Sequence, residues 1–214
     1  MRPRAVIFDF NGTISQDEPI LCEIFVELFA EHGKPMSAQE YFDELAGLSD
    51  PEVVRTWLGR EHPDVDEVIR ERIVRYRAAV ADGSSIPDEV RAAVRYAAER
   101  VPIAIVSGAA REEIEPVLEA AGLRAAFAVL VSSDDVEHGK PDPEGYRTAL
   151  SLLDGDIAAG DVLVMEDTEA GIAAARGAGM RCVAVLGTLA PERLAAADEI
   201  VERIDVPRME RLLG

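Results

Sequence analysis

Basic charge, lysine, histidine and cysteine are all scarce in this chain, and each shortage removes a class of function. Lys and Arg number 22 against 41 Asp and Glu in 214 residues, a formal net charge of −19. Such an acid excess repels a polyphosphate backbone, whose binding is built on many Lys and Arg contacts, so no nucleic-acid partner is expected. The two cysteines, Cys22 and Cys182, are too few for a disulfide framework and have no metal-ligand company, so they read as buried thiols of a reducing compartment. The three histidines, His32, His62 and His138, lie far apart in turn-like surroundings, form no HxxxH or triad-like grouping, and read as surface residues. No stretch approaches the roughly 18–20 consecutive apolar residues of a membrane span. Residues 1–10 carry Arg2 and Arg4, but the apolar run behind them is brief and stops at Asp9. Neither a membrane partner nor a secretory signal is expected, and the cytoplasm is the expected compartment.

What is present is a globular composition, 48% hydrophobic and 29% charged. The length suits one large domain or one domain with an insertion. Ala5-Val6-Ile7-Phe8 is a continuous apolar run that ends at Asp9, the pattern of a strand buried on both faces. Comparable runs recur at 101–106, 128–131, 162–165 and 182–186, with a weaker one at 199–201. Helical periodicities fall between them at 88–99, 112–121, 143–153 and 169–178. Strand alternating with helix implies βαβ units, hence a doubly wound, Rossmann-like parallel α/β sheet.

One interval breaks the alternation. From about residue 20 to 81 there is no convincing strand, only helical patterns at 20–31, 38–45, 51–58 and 65–80. This is far too long for a connection of about 4–6 residues, so it forms an all-helical domain inserted after the first strand. The expected division is a core of 1–15 and 84–214 and an inserted domain of 16–83, with Gly83-Ser84-Ser85 and Pro87 as the return hinge.

In open parallel sheets ligands bind beyond the carboxyl ends of the strands, so the polar residues there are the candidates. They are Asp9 after the first strand, Ser107-Gly108 after the second, Glu166-Asp167 after the fourth, and Lys140 in the loop Gly139-Lys140-Pro141-Asp142-Pro143. Taken singly, such an Asp is as well explained as a helix cap, and Lys140 as a surface charge. Together they form a set for phosphate and Mg²⁺: carboxylates for the ion, Lys and hydroxyl groups for phosphate oxygens.

The order of these residues decides more than their types. Asp9-Phe10-Asn11-Gly12-Thr13, Val106-Ser107-Gly108, Gly139-Lys140-Pro141-Asp142-Pro143 and Met165-Glu166-Asp167-Thr168 with Gly171 resemble the four motifs of the haloacid dehalogenase superfamily. The helical insertion stands where its capped phosphatases, the β-phosphoglucomutase-like members with a C1-type cap among them, carry their cap. The resemblance implies a Mg²⁺-dependent phosphatase of a small phosphorylated metabolite, with Asp9 as a nucleophile forming an aspartyl-phosphate. It implies Asp9, the backbone carbonyl of Asn11, Asp167 and, in support, Glu166 around the ion. Ser107 and Lys140 would hold the phosphoryl oxygens, and backbone N–H groups at Gly12 and Gly108 would complete the cradle. Thr13 is expected to shape the loop.

Asn11 departs from the pattern. The family's phosphatases usually carry there a second Asp that protonates the leaving group and then activates water, assistance worth about 10²–10⁴-fold. An amide transfers no proton at neutral pH. Asn11 is therefore a turn residue before Gly12, or the mark of a slow phosphatase preferring good leaving groups, of a catalytically silenced phosphate-binding member, or of a substitution that traps an intermediate. Other branches fit less well. The dehalogenases need no metal and are similar to this chain only in nucleophile and fold, and the intact Glu166-Asp167 pair argues for Mg²⁺ and against them. The phosphonate-cleaving relatives use a cap lysine, and the phosphomutases a cap-loop Arg, where this chain has Asp50. Arg55 and Trp57 read as a helix-surface charge and a packing residue.

Overall fold

The apolar runs become strands because parallel strands covered on both faces bury every side chain. The structure is a computed structural model that describes residues 2–214, so residue 1 of the expected core segment lies outside the described residues. The strands are β1 (Ala5–Phe8), β2 (Ile103–Val106), β3 (Val129–Val131), β4 (Val162–Glu166), β5 (Arg181–Val185) and β6 (Glu199–Val201). Among the described residues they form one parallel sheet in the order β3-β2-β1-β4-β5-β6. The central β1 is wholly buried, with Phe8 opposite Ile105 on one side and Met165 on the other. Strand order reverses between β1 and β4, the place where such sheets open a crevice for ligand.

The helices are α1 (Glu18–Glu31), α2 (Ala38–Glu40), α3 (Asp50–Leu58), α4 (Val65–Ala79), α5 (Asp88–Ala98), α6 (Arg111–Ala120), α7 (Glu144–Leu152), α8 (Glu169–Gly177) and α9 (Val206–Leu213). The fold is the doubly wound α/β architecture expected, with α1 to α5 between β1 and β2. Differences at element ends have local causes. Val101, expected in a strand, donates its N–H back to Ala97 at 3.0 Å and so belongs to the last turn of α5. The expected helix 38–45 is α2 followed by a π turn over Tyr41–Leu45, where Ala46 N–H reaches Tyr41 O at 2.9 Å. α9 has no counterpart among the expected helices, although Asp205 caps it by accepting the Arg208 N–H at 2.8 Å and Met209 and Leu212 share its buried face.

The helical segment has its own core. Leu21, Phe25, Leu28 and Phe29 form the buried stripe of α1, which packs on α4 as α3 does. Phe25 stacks on Phe29 and Tyr41 at 5.5 and 6.0 Å, and Trp57 lies against Phe29 at 6.2 Å with its indole N–H on Lys34 O, so Trp57 packs as expected. Arg55 is exposed. The two chain crossings into this segment run side by side. Ser15 and Ser85 hydroxyls meet at 2.8 Å and the Gln16 N–H donates to Ser85 O at 2.8 Å. The histidines depart from expectation. His138 is exposed against Glu144, but His32 and His62 are half-buried and stand edge to face at 6.3 Å beside Asp64, because the loop after α1 meets the loop before α4.

Arg72 ties the segment to the sheet layer. It rises from α4 with only 3% of its surface exposed, pairs with Glu113 on α6 and with Asp50 at 3.1 Å, and lies over the Tyr76 ring at 5.1 Å. Burial lifts the carboxyls of Asp50 and Glu113, and the guanidinium opposes that lift. Removing one member of a buried ion pair typically removes about 3–5 kcal/mol. Arg72→Ala is therefore expected to lower unfolding stability by about that amount, read as a fall in the urea midpoint at unchanged m.

Candidate active site

The ends of β1, β2 and β4 bring most of the sequence-selected residues together. Asp9 follows β1, Ser107 follows β2, Glu166 closes β4 and Asp167 comes next. Lys140, 131 residues from Asp9, reaches across from the loop before α7. Asp9, Asn11, Ser107, Gly108, Lys140 and Asp167 line one cavity of about 1120 Å³ between the strand ends and the helical segment. Its far wall includes Glu18, Tyr41, Asp50 and Arg72.

Lys140 is the organising cation. Its ammonium donates to Asp9 Oδ1 at 2.5 Å, Glu166 Oε1 at 2.5 Å and Val106 O at 3.1 Å, using all three N–H groups. Burial opposes its charge, but Asp9 and Glu166 outweigh that and raise its pKa. A phosphoryl oxygen that binds Lys140 must therefore replace one of these acceptors.

Two residues with expected roles already carry hydrogen bonds within the site. Glu166 was expected to support the metal, and its oxygens do lie within 4.8 Å of those of Asp9 and Asp167. However, Oε1 already accepts from Lys140 and Tyr146, and Oε2 from the Asp167 N–H, the Thr168 N–H and the Thr168 hydroxyl at 2.9–3.1 Å. With its lone pairs engaged, Glu166 fixes Lys140 and the loop that carries Asp167. Gly12 was expected to offer its N–H to phosphate. That N–H instead meets Ser15 O at 2.8 Å and Asp17 Oδ1 at 3.2 Å. Gly12 matters through the side chain it lacks: at φ 73° a Cβ there would collide with the Asp167 carboxylate and Thr188. Gly171, under Glu166, is excluded from bearing a side chain for the same reason.

Asp167 accepts from Thr13 at Oδ1, 3.2 Å, and from the Thr188 hydroxyl at Oδ2, leaving a lone pair on each oxygen. Thr13 thus braces Asp167 as well as the loop. Asp9 Oδ2 is buried and has no hydrogen-bond partner. An orphaned carboxylate oxygen beside a second carboxylate, in an all-oxygen donor set, fits a hard divalent cation such as Mg²⁺. Burial pushes the Asp9 carboxyl up to about 7, with Lys140 opposing and Glu166 adding. Asp167 is likewise raised, by burial and then by its two acidic neighbours.

Asn11 projects beside Ser107, whose hydroxyl lies 3.5 Å from Asn11 Oδ1 and accepts the Ala109 N–H at 3.1 Å. Its amide nitrogen contacts Asp17 and Tyr76, at 2.9 and 3.1 Å. Sequence reasoning missed both, together with Tyr146, Thr188, Glu18 and Arg72. Asp17 before Glu18-Pro19 reads locally as a helix cap, and the others lie on helix or loop positions that carry no local signal.

These geometries meet an independent comparison. Residues 6–185 match the family described as Haloacid dehalogenase-like hydrolase. The chain belongs to that family. It is therefore a hydrolase of the phosphatase type. It is 32% identical to validoxylamine A 7'-phosphate phosphatase of Streptomyces hygroscopicus subsp. limoneus, over 93% of both chains. Against the phosphorylated carbohydrates phosphatase of Thermotoga maritima it is 29% identical over 82% of each. The crystal structure of CbbY from Rhodobacter sphaeroides in complex with phosphate superposes with a TM-score of 0.81 at 26% identity, covering 94% of this chain and 95% of that one. No helix among the described residues is long and apolar enough to cross a membrane.

The cavity wall has a pH signature. Burial lifts Glu18 from 4.5 to about 7; Tyr41, donating to Oε1 at 2.9 Å, and Arg72 oppose this, while Asp17 and Asp50 add to it. The folded chain holds that proton more tightly than the unfolded chain, so stability is lost as pH rises from about 4.5 through about 7. Glu18→Gln keeps an acceptor for Tyr41 without the charge. It is expected to raise the Tm at about pH 8 and to leave it unchanged near pH 4.5, as scanning calorimetry measures.

Proposed function

We propose that the chain is a Mg²⁺-dependent phosphatase of small phosphorylated metabolites that works through an aspartyl-phosphate on Asp9. The observation that carries this reading is the state of Asp9: one carboxylate oxygen is pinned by Lys140 and the other is buried without a partner. In this reading residues 16–83 are a cap over a core of 1–15 and 84–214, and the cytoplasm is the working compartment. Asp9, Asp167 and the Asn11 backbone carbonyl would hold the ion, with Glu166 in support. Bound there, Mg²⁺ supplies charge neutralisation for the phosphoryl group and for the crowded carboxylates.

The residues do the rest. Ser107, Lys140 and the backbone at Gly108 hold phosphoryl oxygens in line with Asp9. Asp9 forms a bond to phosphorus as the ester oxygen leaves and takes a proton from cavity water, since Asn11 has none to give. Water then attacks phosphorus, the Asp9–phosphorus bond breaks, and inorganic phosphate departs. Lacking acid–base help, the reaction favours good leaving groups. Asn11 also motivates a second reading, a silenced member that binds phosphorylated ligands without turnover.

The two readings separate in one assay with an aryl phosphate. Turnover is expected with Mg²⁺, is lost on chelation, and falls at least about 10³-fold in Asp9→Asn. Acid-quenched wild type should carry a phosphoryl group on Asp9 by peptide mass. No turnover and no labelling would establish the silenced reading.

Substrate class follows from the cavity wall. The resemblance places a phosphomutase's distal-phosphate Arg at residue 50, where Asp50 pairs with Arg72 among Glu18 and Glu113. On that wall Glu18, Asp50, Glu52 and Glu113 outnumber Arg55 and Arg72, an excess of acid that disfavours a second anion and suits hydroxyl or amine groups, in keeping with relatives named for validoxylamine phosphate and phosphorylated carbohydrates. Monophosphates of polyols or amino-polyols are expected to exceed the matching bisphosphates at least about tenfold in kcat/KM, measured by phosphate release.

A further inference from the structure

Asp17 is fully buried, yet it is neither an ion-pair partner nor a working helix cap. It stands at the N-cap of α1, where its side chain makes no cap hydrogen bond. Both of its oxygens turn back toward the loop after β1. Oδ1 accepts the Gly12 N–H at 3.2 Å, and Oδ2 accepts from Asn11 Nδ2 at 2.9 Å and from the Tyr76 hydroxyl at 2.5 Å. The Tyr76 oxygen in turn accepts from Asn11 Nδ2 at 3.1 Å. Asn11, Asp17 and Tyr76 thereby close a ring of three hydrogen bonds, with Tyr76 supplied by α4, 65 residues along the chain.

The ring settles which end of the amide faces the site. A carboxamide has two N–H donors on nitrogen and two lone pairs on oxygen, and its ends are nearly equal in shape. Asp17 Oδ2 meets the nitrogen end at 2.9 Å; burial raises the Asp17 carboxyl, and the donors gathered on it, Tyr76 and Asn11 among them, oppose that rise and favour its accepting form. Asp17 Oδ2 and the Tyr76 oxygen lie 2.5 Å apart on the same side of Nδ2, so the nitrogen end of Asn11 is shared between two fully buried partners that do not line the cavity. Oδ1 is left as the polar atom of this side chain beside Ser107 and the cavity.

We propose that Asp17 and Tyr76 are positioning residues that lock the Asn11 carboxamide with its oxygen toward the cavity, making residue 11 a fixed hydrogen-bond acceptor instead of an acid. This rests on the phosphatase reading for its consequence and on the hydrogen-bond ring for its geometry. In the second half of the reaction Oδ1 accepts a hydrogen bond from the attacking water and orients its lone pair toward phosphorus. The new oxygen–phosphorus bond forms as the Asp9–phosphorus bond breaks, Asp9 leaves as a carboxylate, and the proton shed by the water passes to a phosphoryl oxygen. Acceptor and acid are therefore partitioned differently here: the amide stands at 11 and the carboxylate stands behind it at 17.

A reciprocal exchange tests the lock. Asn11→Asp alone sets two carboxylates against each other with no N–H between them, whereas Asn11→Asp with Asp17→Asn restores a donor to the pair. With an aryl phosphate and Mg²⁺, the double variant is expected to exceed Asn11→Asp at least about tenfold in kcat, and Tyr76→Phe to lose about tenfold in kcat with KM within about twofold of wild type. Equal rates in Asn11→Asp and the double variant, both folded by thermal melt, would overturn the proposal.

A second measurement needs neither turnover nor a stable position-11 variant. Asn11 is the single asparagine of the sequence, so selective ¹⁵N-asparagine labelling yields one side-chain NH₂ pair. In wild type its two protons are expected to be well separated and to exchange with water at least about tenfold more slowly than in Tyr76→Phe. A fast-exchanging pair in wild type would overturn the lock. Wild type without turnover but with a slowly exchanging pair would instead sink the phosphatase reading and leave the lock standing.

Discussion

Asp9, Glu166 and Asp167 bring oxygens within 4.8 Å of one another, with the Lys140 ammonium between two of them, in a chain whose net charge is −19. At an effective dielectric constant of ~20, each like-charged pair at such a spacing repels by about 3–4 kcal/mol. The surrounding structure answers that repulsion group by group. Lys140 spans Asp9 and Glu166, and Tyr146 with the Thr168 loop saturates Glu166. Thr13 and Thr188 hold Asp167. The missing side chains at Gly12 and Gly171 leave room for the carboxylates to approach. What remains uncompensated is one oxygen of Asp9, and that residual demand for positive charge is what a divalent cation would meet.

The helical segment extends the same electrostatic logic outward. Its cavity wall is acidic, with Arg72 as the buried cation that holds Asp50 and Glu113 in place. Tyr76, one turn along α4 from Arg72, carries the Arg72 guanidinium over its ring face and sends its hydroxyl to Asp17. One helix thus contacts both the distal wall of the cavity and the Asn11 amide beside Ser107. A chain poor in lysine and rich in acid can handle an anionic ester because its few buried cations are placed where charge must be offset.

The sheet was legible because its signal is local. Continuous apolar runs such as Ala5–Phe8 and Val162–Met165, each ending in acid, state strand, burial and site in a few residues. The helical insertion was legible from the loss of alternation between residues 20 and 81. Asp17 carried no signal for a local reason too: an acid before Glu18-Pro19 has the usual form of a helix cap, and only the approach of Tyr76 and Asn11 shows its other partners. The paired crossings at Ser15 and Ser85 and the meeting of His32 with His62 are invisible in sequence because each joins segments about 30 to 70 residues apart.

The sequence alone determined the parallel α/β frame, the inserted helices and the order in which Asp9, Ser107, Lys140 and Asp167 reach the strand ends. Periodicity and the chemistry of strand termini suffice for those. The tertiary structure decided how hydrogen-bonding capacity is shared: Glu166 saturated by Lys140 and its own loop, Gly12 turned away from ligand, and Asn11 held by Asp17 and Tyr76. Lone pairs and N–H groups are allotted only when distant segments pack, since a polar atom taken out of water takes whichever partner the fold brings within about 3 Å.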